Sequence, residues 1–277
     1  MKKLPIVYHS LEQVVTCLRN SEIGRTSEVN QLLKVCATGS NGILDPNSFL
    51  PRSRPISVVK PKMPIIVVEG LDGSGKTRVS TALVKRLRLD LHHTPPQRIK
   101  FLKSYFDEQE ESIRRAYYSM GNYLAATDIT SSQFRNGIVI DRFWPSTAAY
   151  AISHDVTLNG GKVEQSIYNW PSDLLLPDLV LFLIVSEEVR RYRHAYRNTT
   201  NTKEEQLLAN NKDFRENLIH SYRSIRGPEL QVIDANEDIK IVENKVCDMM
   251  LTMFPILCRS GSSSSPATRT SSTVSAS

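Results

Sequence analysis

Apolar positions along this chain follow two rhythms, and residues 65–87 show both side by side. Ile65-Ile66-Val67-Val68 is an unbroken β-branched run bounded by Pro64 and Gly70, as expected of a strand buried on both faces. After Thr77 the spacing changes. Val79, Ala82, Leu83 and Leu87 fall on one helical face, with Lys85, Arg86 and Arg88 near its end, where cations suit the helix dipole. The same alternation continues downstream. It predicts short strands at 91–94, 137–141, 179–185 and 230–234, and helices at 97–106, 110–133, 145–153, 187–193, 203–225 and 239–254. Repeated strand-then-helix units with β-branched strands predict an α/β three-layer fold. Its core would be a five-stranded parallel sheet with helices on both faces, and ligands would sit at the carboxyl ends of the strands.

That pattern occupies 63–258. Residues 1–38 carry one modest amphipathic segment, Leu11 through Val35, interrupted at Asn20-Ser21 and Gly24. Residues 39–62 hold Gly39, Gly42, Pro46, Pro51, Pro55 and Pro61 without sustained periodicity and read as a linker. From Arg259 to 277 the chain is almost all Ser, Thr and Ala, a tail with too little apolar surface to fold.

The chemistry lies at the junction of the first strand and helix. Gly70-Leu71-Asp72-Gly73-Ser74-Gly75-Lys76-Thr77 follows a strand and opens a helix, the context that distinguishes a phosphate-binding loop from a chance match. Its glycines let successive N–H groups turn toward an anion. Lys76 would reach the outer phosphates of a nucleoside triphosphate, and the Thr77 hydroxyl would take a Mg2+ site. Asp141 and Arg142 emerge at the same edge, at the end of the strand 137–141. Asp141 can orient Mg2+ through water, and Arg142 offers a planar fork of donors for a second phosphate. Lys103 or Arg98, from the preceding segment, would assist it.

The formal charge of +6 is spread along the chain, which suits phosphorylated small molecules better than a nucleic acid. Four separated cysteines without a C-x-x-C pair argue against a disulfide framework or zinc site and for a reducing compartment. No apolar run approaches the ~20 residues of a membrane span. A soluble intracellular enzyme is expected.

Asp141-Arg142-Phe143-x-x-Ser146-Thr147-x-Ala149-Tyr150, with Glu69-Gly70-Leu71-Asp72 and the following Gly-Lys-Thr, resembles the thymidylate kinase family of P-loop nucleoside monophosphate kinases. The resemblance runs from Met63 to about Phe254. Residues 113–123, Tyr168-x-Trp170-Pro171-x-Asp173-Leu174-Leu175 and Pro177-Asp178-Leu179 look closest to its mitochondrial UMP-CMP kinase 2 branch. The resemblance implies a P-loop NTPase fold with a mobile lid. It implies transfer of the γ-phosphoryl of ATP, with Mg2+, to a pyrimidine nucleoside monophosphate. It also implies a homodimer through helices beside the sheet and a mitochondrial location, with the cytoplasm as the alternative. Asp72 would then bind the acceptor's sugar, Tyr118 would stack on its base, and Tyr150 would lie near the sugar. Arg190, Arg193 and Arg197, with the polar loop 198–202 after them, would form the lid. Because Gly73 carries no cation, the lid would supply the catalytic arginine.

Two departures matter. Asn122 stands where thymidylate kinases generally carry an arginine that reads the thymine carbonyl, and no glycine accompanies the lid arginine in His194-Ala195-Tyr196-Arg197-Asn198. An amide offers both a donor and an acceptor, so Asn122 is expected to admit CMP, UMP, dCMP and dUMP, with dTMP as the alternative. A GTPase is excluded, because Asn244-Lys245-Val246-Cys247-Asp248 misses the guanine-reading spacing. A deoxynucleoside kinase would need a Glu-Arg pair at the second or third strand, and none occurs. It stays open as a further alternative, as does a non-catalytic nucleotide-binding protein.

Overall fold

The computed structural model describes residues 5–39, 42–52, 60–133, 136–195 and 203–261. In chain order its elements are α1 (Leu11–Asn20), α2 (Ser27–Ala37), β1 (Ile65–Gly70), α3 (Lys76–Leu87), β2 (Asp90–His93), α4 (Lys103–Asp107) and α5 (Glu111–Ser131). They continue with β3 (Ile138–Asp141), α6 (Trp144–Asn159), β4 (Leu179–Ile184) and α7 (Glu187–Ala195). The last are α8 (Lys203–Asn210), α9 (Lys212–Ser224), β5 (Glu229–Asp234) and α10 (Ile239–Met253). The strands form one parallel sheet in the order β2-β3-β1-β4-β5, as the alternation of strands and helices predicts.

Side chains leave each strand toward alternate faces, so the sheet builds a core on either side. Ile66, Val68, Val139, Leu179, Leu181 and Leu183 pack with residues of α3 and α10. Ile65, Val67, Ile138 and Ile140 face the opposite way, toward α5 and α6. Phe182 stacks on Tyr222 of α9, ring centroids 4.5 Å apart. At the site edge, β1 and β3 pair in a register that sets Val68 beside Asp141, so the turns after both strands open side by side.

The amino-terminal segment departs from its sequence reading. The single amphipathic stretch is two helices, each begun by a hydroxyl cap: Ser10 accepts the Gln13 N–H at 3.2 Å and Thr26 that of Val29 at 3.4 Å. Val14, Val15, Leu18, Val29, Leu32 and Leu33 are buried in the same cluster as the apolar face of α5. The Leu11 N–H donates to Asp173 at 2.8 Å, Trp144 Nε1 to the Tyr8 carbonyl at 3.4 Å and Tyr8 to the Ser112 carbonyl at 3.0 Å. The stretch expected as a linker also contributes: Ile43 and Leu44 are buried, and Leu44 bridges Pro51. The helix predicted over 203–225 divides at Asn211, whose side chain caps α9 by accepting the Phe214 N–H at 2.9 Å. Residues 255–261, the last three of which were expected in the tail, form a 3-10 turn, and 262–277 lie outside the described residues.

Candidate active site

β1 ends in Gly70, and the chain turns through 71–75 into α3. Gly73 sits at φ +88°, and a Cβ there would lie 2.9 Å from Arg190 Cγ. Both the backbone and the neighbouring arginine therefore require glycine. Lys76 is buried and folds back over the turn, donating to the Gly70 and Leu71 carbonyls at 2.9 Å each, with Asp72 at 3.6 Å. Burial first, then the nearby Arg142 charge, lower its pKa to about 8. An anion in the turn would reverse that balance, since an opposite charge favours the protonated ammonium.

Across the turn, Thr77 Oγ1 donates to Asp141 Oδ2 at 3.1 Å. This hydroxyl–carboxylate pair suits Mg2+, which keeps several waters and is held by one or two side chains together with phosphate oxygens. Among the described residues no group of three or more His, Cys, Asp or Glu could cage a metal, so a metal held by protein ligands alone does not suit this donor set.

Arg142 occupies the left-handed region at φ +66°, a conformation that costs a non-glycine residue about 1–2 kcal/mol. Two backbone anchors hold it: its N–H donates to the Val68 carbonyl at 3.1 Å, and Thr94 donates to its carbonyl at 2.9 Å. The guanidinium pairs with Asp72 through Nη2 and reaches Ser146 Oγ through Nη1 at 3.3 Å. Burial opposes the charge, yet Asp72, with Tyr150, Tyr222 and Glu69, keeps its pKa well above the ordinary range. Asp72 thus pairs with both Lys76 in the turn and Arg142 beside it.

The remaining expected residues divide into those beside this centre and those engaged elsewhere. Tyr150, on α6, lies close enough to Arg142 and Asp72 for both to act on its hydroxyl, although burial is the main reason that its pKa is raised. Tyr118 donates to Asp107 at 2.7 Å. Asn122 is buried, its Nδ2 donating to Thr147 Oγ1 at 3.0 Å while Oδ1 has no protein partner. Arg98 is matched by Asp128 at 2.7 Å and Lys103 by Asp107, so each expected helper cation already has a carboxylate. Arg190 is buried against Gly73 and held by Glu187 at 2.7 and 2.8 Å. Arg193 donates to the Glu237 carbonyl at 3.0 Å and the Ser74 carbonyl at 3.5 Å. Arg197 lies outside the described residues.

Three residues at the site have no role assigned from the sequence. Thr147 partners Asn122. Glu204 pairs with Arg114 at 2.6 Å and acts electrostatically on Tyr118 and Tyr150. Glu69 is fully buried, and burial raises its pKa against the pull of Ser146, Arg142, the Phe143 N–H and Lys76. Thr147 and Glu69 stand inside the motifs that carry the family resemblance, whereas Glu204 lies in no motif.

A family model described as Thymidylate kinase matches residues 68–246, a span that takes in the turn, the Asp141-Arg142 pair and the α7 arginines. The chain belongs to the thymidylate kinase family. It is 35% identical over 221 residues to the mitochondrial UMP-CMP kinase 2 of Homo sapiens, covering 75% of this chain and 49% of that protein. The chain therefore spans about half the length of that relative. A solved thymidylate kinase from Candida albicans superposes with a TM-score of 0.52 at 21% identity, covering 69% of this chain and 92% of that one. A deoxyadenosine kinase from M. mycoides reaches 0.50 at 18%, covering 67% and 98%. At such identities these two structures show the shared fold alone. No described helix is long and apolar enough to cross a membrane.

Proposed function

We propose that the chain is an ATP-dependent nucleoside monophosphate kinase. It would move the γ-phosphoryl of ATP to UMP, CMP, dUMP or dCMP to form the diphosphate, in nucleotide biosynthesis or salvage. The observation that carries this reading is one sheet edge with two separate cationic positions, Lys76 in the turn and Arg142 beside it, joined by Asp72. A donor triphosphate and an acceptor phosphate each need such a position, and transfer between them depends on alignment and charge compensation. Lys76 would leave the Gly70 and Leu71 carbonyls for the β- and γ-phosphates. Arg142 would hold the acceptor dianion in line, and the α7 arginines would approach the charge that develops during transfer. Mg2+ brought with ATP, held at Thr77 and Asp141, would supply further neutralisation of the phosphate oxygens.

Monophosphate is favoured over free nucleoside because a phosphate oxygen is already ionised near pH 7, whereas a sugar hydroxyl needs a base. Glu69, a carboxylate close behind Arg142, is occupied by Phe143, Ser146 and Tyr222. Base choice would fall to Asn122, whose unpaired Oδ1 suits the amino group of cytosine and whose amide, if turned over, suits the carbonyl of uracil. The identity to UMP-CMP kinase 2 supports this range of acceptors, while the family match keeps dTMP as the alternative. A mitochondrial location and a homodimer belong to the same reading. The test is ATP consumption with CMP, dCMP, UMP, dUMP, dTMP and the free nucleosides. Turnover with the pyrimidine monophosphates is expected. Turnover with nucleosides alone, or with nothing, overturns the assignment.

A further inference from the structure

Glu69 is the one charged side chain of β1, whose six residues are all buried. Burying a carboxylate costs several kcal/mol unless donors surround it. Here the Phe143 N–H at 2.8 Å and the Ser146 N–H at 3.2 Å donate to Oε1, and the Ser146 hydroxyl and Tyr222 OH (3.3 Å) donate to Oε2. Phe143 is the N-cap of α6, and Ser146 lies in its first turn. Their N–H groups belong to a helix start that has no side-chain cap of its own, so Glu69 caps α6 from a neighbouring strand. The same end of α6 follows directly on the strained Arg142.

We propose that Glu69 positions Arg142 through Ser146, as a relay in which Arg142 Nη1–H donates to Ser146 Oγ and the Ser146 hydroxyl donates to Glu69. The direction of the relay matters. Arg142 can only donate, so Ser146 must present a lone pair to it and turn its own proton elsewhere. A carboxylate, which only accepts, fixes that orientation. A glutamine could place its N–H against Ser146 Oγ, compete for the lone pair that Arg142 uses, and turn the hydroxyl proton toward the cation. With Asp72 holding Nη2 and Ser146 holding Nη1, the guanidinium is pinned at both arms. Its plane is then set before any phosphate arrives, which saves ordering cost on binding.

The inference rests on the assignment of Arg142 to the acceptor phosphate. The experiment compares wild type, Glu69→Gln, Ser146→Ala and the double variant by steady-state kinetics with UMP and CMP, calorimetric titration of both, and melting temperature. The expected result is a rise in monophosphate KM of about tenfold or more in each single variant, with ATP KM within about twofold of wild type. The double variant should be no worse than the worse single one, because both changes break one relay. Ser146→Ala carries the test if Glu69→Gln does not fold, since alanine suits a helix. Unchanged monophosphate KM in a folded variant, losses that fall equally on ATP and acceptor, or additive effects in the double variant overturn the relay while leaving the kinase reading standing. Wild type that neither binds nor phosphorylates UMP or CMP overturns the kinase reading itself, and the relay's role with it.

Discussion

Replacing Lys76 by methionine should abolish phosphoryl transfer yet leave the protein at least as stable at neutral pH. The ammonium is buried without a full counter-charge, and its pKa falls from 10.5 to about 8. A group with a lowered folded-state pKa binds fewer protons folded than unfolded, so stability rises with pH between the two values. For a basic group this means that below the folded-state pKa the protein carries the full penalty, about 3 kcal/mol. Methionine keeps the unbranched length and removes the charge, while forfeiting the hydrogen bonds to the Gly70 and Leu71 carbonyls, worth about 1 kcal/mol each. The balance at about pH 7 is a variant more stable by roughly 1 kcal/mol, or a few degrees in Tm. Urea unfolding measured across pH separates the contributions, because the charge effect titrates and the hydrogen-bond loss does not. The stability difference between variant and wild type should move by about 2–3 kcal/mol in favour of wild type from about pH 7 to about pH 10. A difference independent of pH would refute the buried-charge argument. Turnover should fall about 10²-fold or more in kcat, and retained turnover would remove Lys76 from the donor site.

Arg142→Ala should raise monophosphate KM and lower kcat with ATP affinity little changed, which inhibition and titration experiments check; damage confined to ATP would reverse the donor and acceptor sides. Arg193→Ala should slow turnover more than it weakens monophosphate binding, as expected of charge used during transfer; unchanged turnover returns it to a purely structural hold on the Ser74 and Glu237 carbonyls. Asn122→Arg should suppress CMP and dCMP more than UMP, dUMP and dTMP in kcat/KM, through a donor–donor mismatch of about 1–3 kcal/mol; an unchanged cytidine-to-uridine ratio shows that Asn122 does not read the base. Asp173→Ala should lower stability by about 2–3 kcal/mol in urea unfolding, because it strips an acceptor from the buried Tyr123 hydroxyl and from the Leu11 N–H; a loss under about 0.5 kcal/mol would mean that water replaces both bonds.

The sheet and its edge were legible because their signals are local. β-branched runs mark the central strands, and a glycine-rich turn between strand and helix announces the phosphate loop. Most helix ends fall within a few residues of the expected ones, but α6 runs on to Asn159, past the expected 153, and Asn211 divides one predicted helix by accepting the Phe214 N–H. Long-range pairings left no comparable mark. Nothing near Arg98 or Lys103 in the sequence shows that Asp128 neutralises one, and the Lys103–Asp107 spacing alone does not show that Asp107 also accepts from Tyr118. Likewise Ile43 and Leu44, two apolar residues among glycines and prolines, gave no periodicity from which burial could be inferred. Glu69 was read as part of a motif, but its contacts are 74 to 153 residues away.

The packing of α1 and α2 against α5 has a consequence for how the chain is made. Leu11 and Glu111 open helices that share one core, yet a ribosome adding about 5–20 residues per second needs some 5–20 s to travel between them. For that interval Val14, Val15 and Leu18, which end with almost no exposure, have been synthesised without the surface that will cover them. Until α5 emerges, α1 and α2 are therefore a sticky intermediate. Synonymous codons that slow elongation before α5 would lengthen that exposure, and chaperone binding to the nascent chain should be strongest there.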